Sequence, residues 1–339
     1  MGKYLLRFVL TGVAAACFLA PALAAKDQAA PVTAAALFAR ARAVSNIEGA
    51  GSQPFSLQVS VTVYRRGQAP AEGDYDLSWA SAGKWRRESS FSNYHEISVG
   101  EGEKVWHMSN ASYRPFFVFQ TSHALDFFRR LEIPPGATVG NVSALNRKAG
   151  ALSCVEYQTK SLKRHTFCFS PATGYLASES DSEWLTTYHY QDYFLTNGRA
   201  FPRTIRVFQK GHLILQARVA NLAFEPSFRA SLFDPPAGPH LRDAPACDAE
   251  QLTDPRKISG SEAQYPQDAL HSKKKGAVQL YADIGANGRV RGLTVLQSPG
   301  SDFSRAATEA VRQWSFAPAR CGGVPVETTI AIIIHFSVQ

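Results

Sequence analysis

From Phe55 to Val63 the chain alternates without a break, with Phe55, Leu57, Val59, Val61 and Val63 on one side and Ser56, Gln58, Ser60 and Thr62 on the other. A period of two is that of a strand with one face buried. The pattern returns at 75–79, 84–91, 94–99 and 104–108, with Gly- or Asn-containing turns between the runs, and so predicts an antiparallel meander. Two stretches break the rhythm. Residues 31–46 place Ala35, Leu37, Phe38, Ala41 and Val44 near one helical stripe, and 122–131, SHALDFFRRL, reads as a second helix. The meander then resumes in two runs about Ser161 and continues at 175–181, 184–192, 203–209 and 213–222, until Phe233-Asp234-Pro235-Pro236 ends it. So many strands are too many for a flat sheet, and a curved half-barrel packed on its helices is expected.

The rest of the chain follows a different pattern. Residues 239–264 are polar and aperiodic and read as a linker. From 265 onward the expected order is a short helix to 270, a strand over 276–284, a turn at Ala286-Asn287-Gly288 and a strand over 289–296. A helix capped by Asp302 then runs to Trp314, with Phe303, Ala306, Ala307, Ala310, Val311 and Trp314 on its buried side. Pro318 prevents continuation, and an apolar strand over 326–336 closes the chain. The fold class is α+β: a half-barrel domain over 31–238, the linker, and a small α+β domain with a three-stranded antiparallel sheet over 265–339.

Ahead of the half-barrel, Lys3 and Arg7, an apolar run over 8–19 and Ala22-Leu23-Ala24 have the order of an export signal cleaved after residue 24. Retention is the alternative, since 5–25 is long enough to span a bilayer. Export places the protein in the periplasm; retention would anchor it in the inner membrane, facing the same compartment. The expected setting is oxidising, and Cys154, Cys168, Cys247 and Cys321 suit disulfides there. Three pairings are open. A hairpin centred near Ser161 would set Cys154 opposite Cys168, leaving Cys247 for Cys321. The formal charge of +8 is spread along the chain, and Lys3 and Arg7 contribute two of it. With export, this argues against nucleic acid as a partner.

Motifs of catalysis are scarce. None of the nine histidines stands in an H-E-x-x-H pair, and His95-Glu96-Ile97-Ser98 lacks the second ligand. The S-x-x-K matches at 81–84 and 272–275 lack K-T-G and S-D-N companions, and G-x-S-x-G does not occur. No enzymatic activity, metal or cofactor is expected.

Tyr265-Pro266, Asn287-Gly288, Trp314, Phe316, Pro318-Ala319, Gly323, Pro325-Val326 and Phe336 together resemble the C-terminal domain of the TonB energy-transducer family. The resemblance implies a small sheet that pairs through one edge with an extended segment of an outer-membrane receptor or other envelope protein. It points to the final strand, Ile330, Ala331, Ile332, Ile333, Ile334, His335 and Phe336, as the docking edge. Trp314 is in phase with the apolar helix face and reads as a core anchor. The front domain resembles the LolA/LppX/RseB group through its opening helix, the 55–63 strand, YDLSWASAGKWRRE at 75–88 and LFDPPAG at 232–238. That likeness implies a cup for lipid, lipoprotein or peptide. Trp79, Trp85, Trp106, Phe117 and Phe119 either line such a hollow or fill the core. The expected function is a non-enzymatic envelope protein that docks through its tail and holds a ligand in its half-barrel. The alternatives are an inner-membrane-anchored energy transducer and a periplasmic hydrolase.

Overall fold

The computed structural model describes residues 32–337 apart from 50, 66–67, 148–149, 161, 226, 239–240 and 247–250. The proposed export signal and Cys247 lie outside the described residues. Helix α1 (Ala34–Ser45) opens the fold, with the Thr33 hydroxyl accepting from the Ala36 amide at 3.2 Å as its cap. Leu37, Phe38 and Ala41 are its buried face. The meander follows as β1 (Phe55–Val63), β2 (Ala71–Ser81), β3 (Lys84–Phe91), β4 (Tyr94–Glu101) and β5 (Lys104–Ser109).

The second helix begins six residues earlier than its sequence suggested. Helix α2 spans Phe116–Leu125, Pro115 stands at its N-cap, and a 3-10 turn over Phe127–Arg130 follows. Pro115 sets the start, because proline fits just ahead of a helix and not inside one. The aromatic run FFVF, at 116–119, reads as strand by composition, yet it packs as the first helical turn.

The chain returns through β6 (Thr138–Val139), β7 (Ser143–Arg147), β8 (Gly150–Gln158), β9 (Arg164–Phe169), β10 (Leu176–Asp181), β11 (Thr186–Thr196), β12 (Arg199–Gln209) and β13 (His212–Phe224). Antiparallel pairing of β1 with β13 joins the two halves into one sheet. Side chains from β2, such as Trp79, and from β8 and β9, such as Tyr157 and Phe167, share one core with α1 and the end of α2. Strands so far apart in the sheet meet a common core only because the sheet curls around the helices. Cys154 and Cys168 face each other across β8 and β9 and are joined by a disulfide.

The segment read as a linker is tied down by short pairings. Within it β14 (Arg242–Pro245) adds to β5 as the outermost strand of the half-barrel sheet. Further on, β15 (Leu252–Thr253) and β16 (Arg256–Ser259) pair with strands of the C-terminal module. Its polar, aperiodic sequence hides this because none of these strands is longer than four residues.

The C-terminal module comprises α3 (Gln267–His271), β17 (Gly276–Ile284), β18 (Val290–Gln297), α4 (Ser301–Arg312), the short β19 (Ser315–Ala317), β20 (Ala319–Cys321) and β21 (Val324–Val326), and β22 (Thr328–Phe336). Gly300, not Asp302, stands at the N-cap of α4; Asp302 lies in the first turn and pairs with Arg305 at 2.7 Å. The turn between β17 and β18 requires Gly288, which has φ of 73° and leaves no room for a Cβ beside the Phe316 carbonyl. From Thr33 onward the chain is one compact unit, so both modules are parts of a single packed body.

Candidate functional site

The C-terminal sheet has the order β18-β17-β22. Its central strand is buried on both faces. Val278, Leu280, Ala282 and Ile284 face α4 and form a core with Phe303, Ala307, Val311 and Trp314. Trp314 is largely enclosed, its indole N–H donates to the Ser261 carbonyl at 2.8 Å, and the Lys257 ammonium sits 3.5 Å from its ring centre. These contacts fit an anchoring role.

Gln279, Tyr281 and Asp283 point the other way, into the half-barrel. Tyr281 packs with Phe116 and Trp184 of the half-barrel and Leu296 of β18, and its hydroxyl donates to the Arg114 carbonyl at 3.1 Å. The Gln279 amide donates to the Glu183 carbonyl. Asp283 accepts from the Arg114 backbone N–H at 3.2 Å and pairs with Arg291 at 3.0 Å. Gly292 of β18 lies so close to the Tyr113 ring that a Cβ there would stand 2.4 Å from it. The half-barrel thus covers the second face of the sheet.

Beside this contact lies a cleft of about 310 Å³ with ionic walls from both modules. Glu96, nearly fully buried, accepts from the Tyr94 hydroxyl at 2.5 Å and pairs with Arg114 at 3.2 Å. Burial alone would raise the Glu96 carboxyl, but Arg114, together with His107, the Tyr94 hydroxyl and Arg87, holds the group below its usual value. The Ser98 hydroxyl and His107 Nδ1 are 2.9 Å apart, and burial pushes His107 down, leaving it neutral near pH 7. Across the cleft Glu327 bridges Arg242, at 2.7 Å, and Arg291. Burial raises the Asp283 carboxyl in spite of Arg291.

The last strand is left at the sheet's edge. Ile332 and Phe336 are buried toward α4, Ile330 and Ile334 are half-buried on the same side, and Ala331 packs near Tyr281. Ile333 is 52% exposed and His335 is also exposed. Among the described residues, β22 pairs with β17 alone, so its outer row of amides and carbonyls faces no strand.

The five aromatic residues considered as a hollow do not come together. Trp79 is buried and stacks on Phe55 at 5.4 Å, and Trp85 packs on the same core. Trp106 joins a separate cluster with Val99, Met108 and Phe233. Phe119 packs into the junction beside Trp184 and Tyr281. Phe117 alone borders an open apolar cleft, of about 400 Å³, between α2 and the ends of β1 and β13. The aromatic residues are spread over strands and helix α2, whose relative curl the linear pattern does not specify, so their separation was not readable from it. Cys321 is buried; its expected partner, Cys247, lies outside the described residues.

The junction residues Arg114, Phe116, Trp184, Tyr281 and Asp283 were not singled out from sequence. The alternation of 276–284 gives a strand with one apolar and one polar face, and a polar face normally meets water. Here it meets the half-barrel instead, with its polar groups satisfied by backbone groups and arginines.

Residues 261–338 match the family model for the Gram-negative bacterial TonB protein C-terminal. The TonB protein of Escherichia coli strain K12 is 32% identical over 69 residues, 20% of this chain and 29% of that protein. The chain therefore spans less than a third of that relative's length. A solution structure of the Pseudomonas aeruginosa TonB C-terminal domain is 26% identical and covers 26% of this chain and 89% of its own, with a TM-score of 0.23. The crystal structure of a LolA superfamily protein from Nitrosomonas europaea covers 60% of this chain and 97% of its own, at 10% identity and a TM-score of 0.42. The chain thus ends in a stretch that matches the TonB C-terminal family, joined to an antiparallel half-barrel that lies outside that match.

Proposed function

We propose that this is a non-enzymatic protein of the periplasmic envelope that docks on an outer-membrane receptor or another envelope protein by adding a partner strand along β22. The observation that carries this reading is the open edge of β22. It is nine residues long, contains no Lys, Arg, Asp or Glu, and has no strand on its outer side among the described residues. Proteins ordinarily blunt such an edge with charge, proline or a cover. An uncovered edge offers main-chain hydrogen bonds to an extended peptide with little demand on its sequence. The match to the TonB C-terminal family supports the same reading.

Ile333→Lys tests it. The side chain is exposed, so the stability change should stay within about 0.5 kcal/mol. The charge should weaken binding of a peptide copied from the periplasmic segment of a co-occurring outer-membrane receptor by tenfold or more. Equal binding by wild type and variant would contradict docking at this edge.

The half-barrel, on this proposal, holds a lipid, a lipoprotein segment or a peptide. What supports it is the apolar cleft beside Phe117, whose size lies within the range of small-ligand sites.

A further inference from the structure

The cleft beside Phe117 carries one charge. It is walled by Phe116 and Phe117 of α2, Ile214 and Leu215 of β13, and Tyr113, with Thr294 of β18 closing one side. Among the described residues, Arg65 is the single charged one in its lining. A neighbouring cleft of about 250 Å³ shares Arg65, Tyr113, Pro115 and Phe117 and again has no other charged lining residue. Arg65 therefore lines both hollows. Its guanidinium lies 5.0 Å from the centre of the Phe117 ring, and among the described residues no carboxylate pairs with it. A cation placed on an aromatic face and left without a counter-charge is available to an anion.

The second observation lies one helical turn deeper. Gln120 also lines the cleft and is fully buried. Its carbonyl oxygen accepts from the Tyr188 hydroxyl, which fixes the amide's orientation, while its amide nitrogen has no acceptor among the described residues. A buried donor left unpaired is costly, and an oxygen supplied by a ligand would offset that cost.

We infer that this cleft takes a singly charged amphiphile: a carboxylate head at Arg65, an apolar body against Phe116, Ile214 and Leu215, and a carbonyl oxygen within reach of the Gln120 amide. An N-acyl amino acid has this chemistry. Among the described lining residues a dianion finds one cation, and a neutral lipid leaves Arg65 unmatched. The inference rests on the ligand-holding reading of the half-barrel and is independent of docking at β22.

The test is calorimetric titration of the full chain with N-dodecanoylglycine, its methyl ester and dodecanoic acid, each below its aggregation threshold, together with the Arg65→Glu variant. Arg65 is exposed, and an unchanged thermal transition in the variant will verify its fold. The expected result is that N-dodecanoylglycine binds at least tenfold more tightly than its methyl ester, that the difference disappears in the variant, and that dodecanoic acid is several-fold weaker for want of the amide carbonyl. Equal binding of acid and ester, or undiminished binding of the acid by Arg65→Glu, overturns the anionic class but leaves the ligand-holding reading standing. Equal binding of dodecanoic acid and N-dodecanoylglycine overturns the role of Gln120. If none of the three binds, the inference falls, while the ligand-holding reading stands on the lipoprotein or peptide it also admits.

Discussion

Glu179 sits inside the half-barrel, gripped by Arg130 through two hydrogen bonds of 3.0 and 2.8 Å and by the Tyr190 hydroxyl at 3.1 Å. Burial alone would raise its carboxyl, but Arg130 holds it well below the usual carboxylate range. Asp126 is likewise buried, and Arg87 keeps it low. For groups with depressed folded values, the stabilisation is complete above the unfolded value, near 4.5 for Glu179 and 3.8 for Asp126. It is lost as pH falls through the folded values. Asp283 runs the other way: its raised value means that folding favours its protonated form, so its contribution improves on acidification. Glu179→Gln leaves Arg130 without its counter-charge and should cost about 3–5 kcal/mol. Denaturation midpoints measured from pH 7 down to pH 2 should show this loss at neutral pH and a shallower acid decline than in wild type. Gly292→Val is the steric counterpart. With Tyr113 packed over Gly292, the added carbons should cost about 1–3 kcal/mol, and Tyr113→Ala in the same chain should recover part of the loss. No recovery would place the strain elsewhere.

Elements were legible in the sequence wherever one face meets a core and the other meets water. The β1 alternation survives residue by residue: Phe55, Leu57, Val59, Val61 and Val63 are all buried. The apolar face of α4 behaves the same way, with Phe303, Ala307 and Val311 inside. The cysteine hairpin was legible because antiparallel register fixes which residues stand opposite. Where the pattern was ambiguous, a neighbour decided. The FFVF run became the start of α2 because Pro115 favours a helix start and the C-terminal module supplies Tyr281 and Leu296 to cover its aromatic rings. The short strand β14 needed only the free edge of β5, which no local pattern reveals. Strand β22 was recognisable as a strand from its β-branched run, but its place at the sheet's edge is a property of topology.

At the scale of the whole molecule, the two modules share a hydrophobic cluster, hydrogen bonds between the Asp283 and Tyr281 side chains and the Arg114 backbone, and the ion pair of Arg242 on β14 with Glu327. A shared core of this kind should make them unfold together. Calorimetry should therefore give one transition for the wild type. Tyr281→Ala, which removes the central ring, should cost about 3–5 kcal/mol and separate that transition into two. Two transitions already present in the wild type would mean that the junction is too weak to couple the modules. Rigid seating also bears on the proposed docking, because it holds β22 in place with no strand on its outer edge among the described residues.

The central claim, strand addition at β22, is tested most directly by amide hydrogen exchange along residues 328–336, with and without the receptor-derived peptide. The account predicts that the peptide slows exchange at alternate amides of β22, those pointing away from β17, and that Ile333→Lys abolishes the effect. Binding that leaves β22 exchange unchanged while protecting another surface would contradict it.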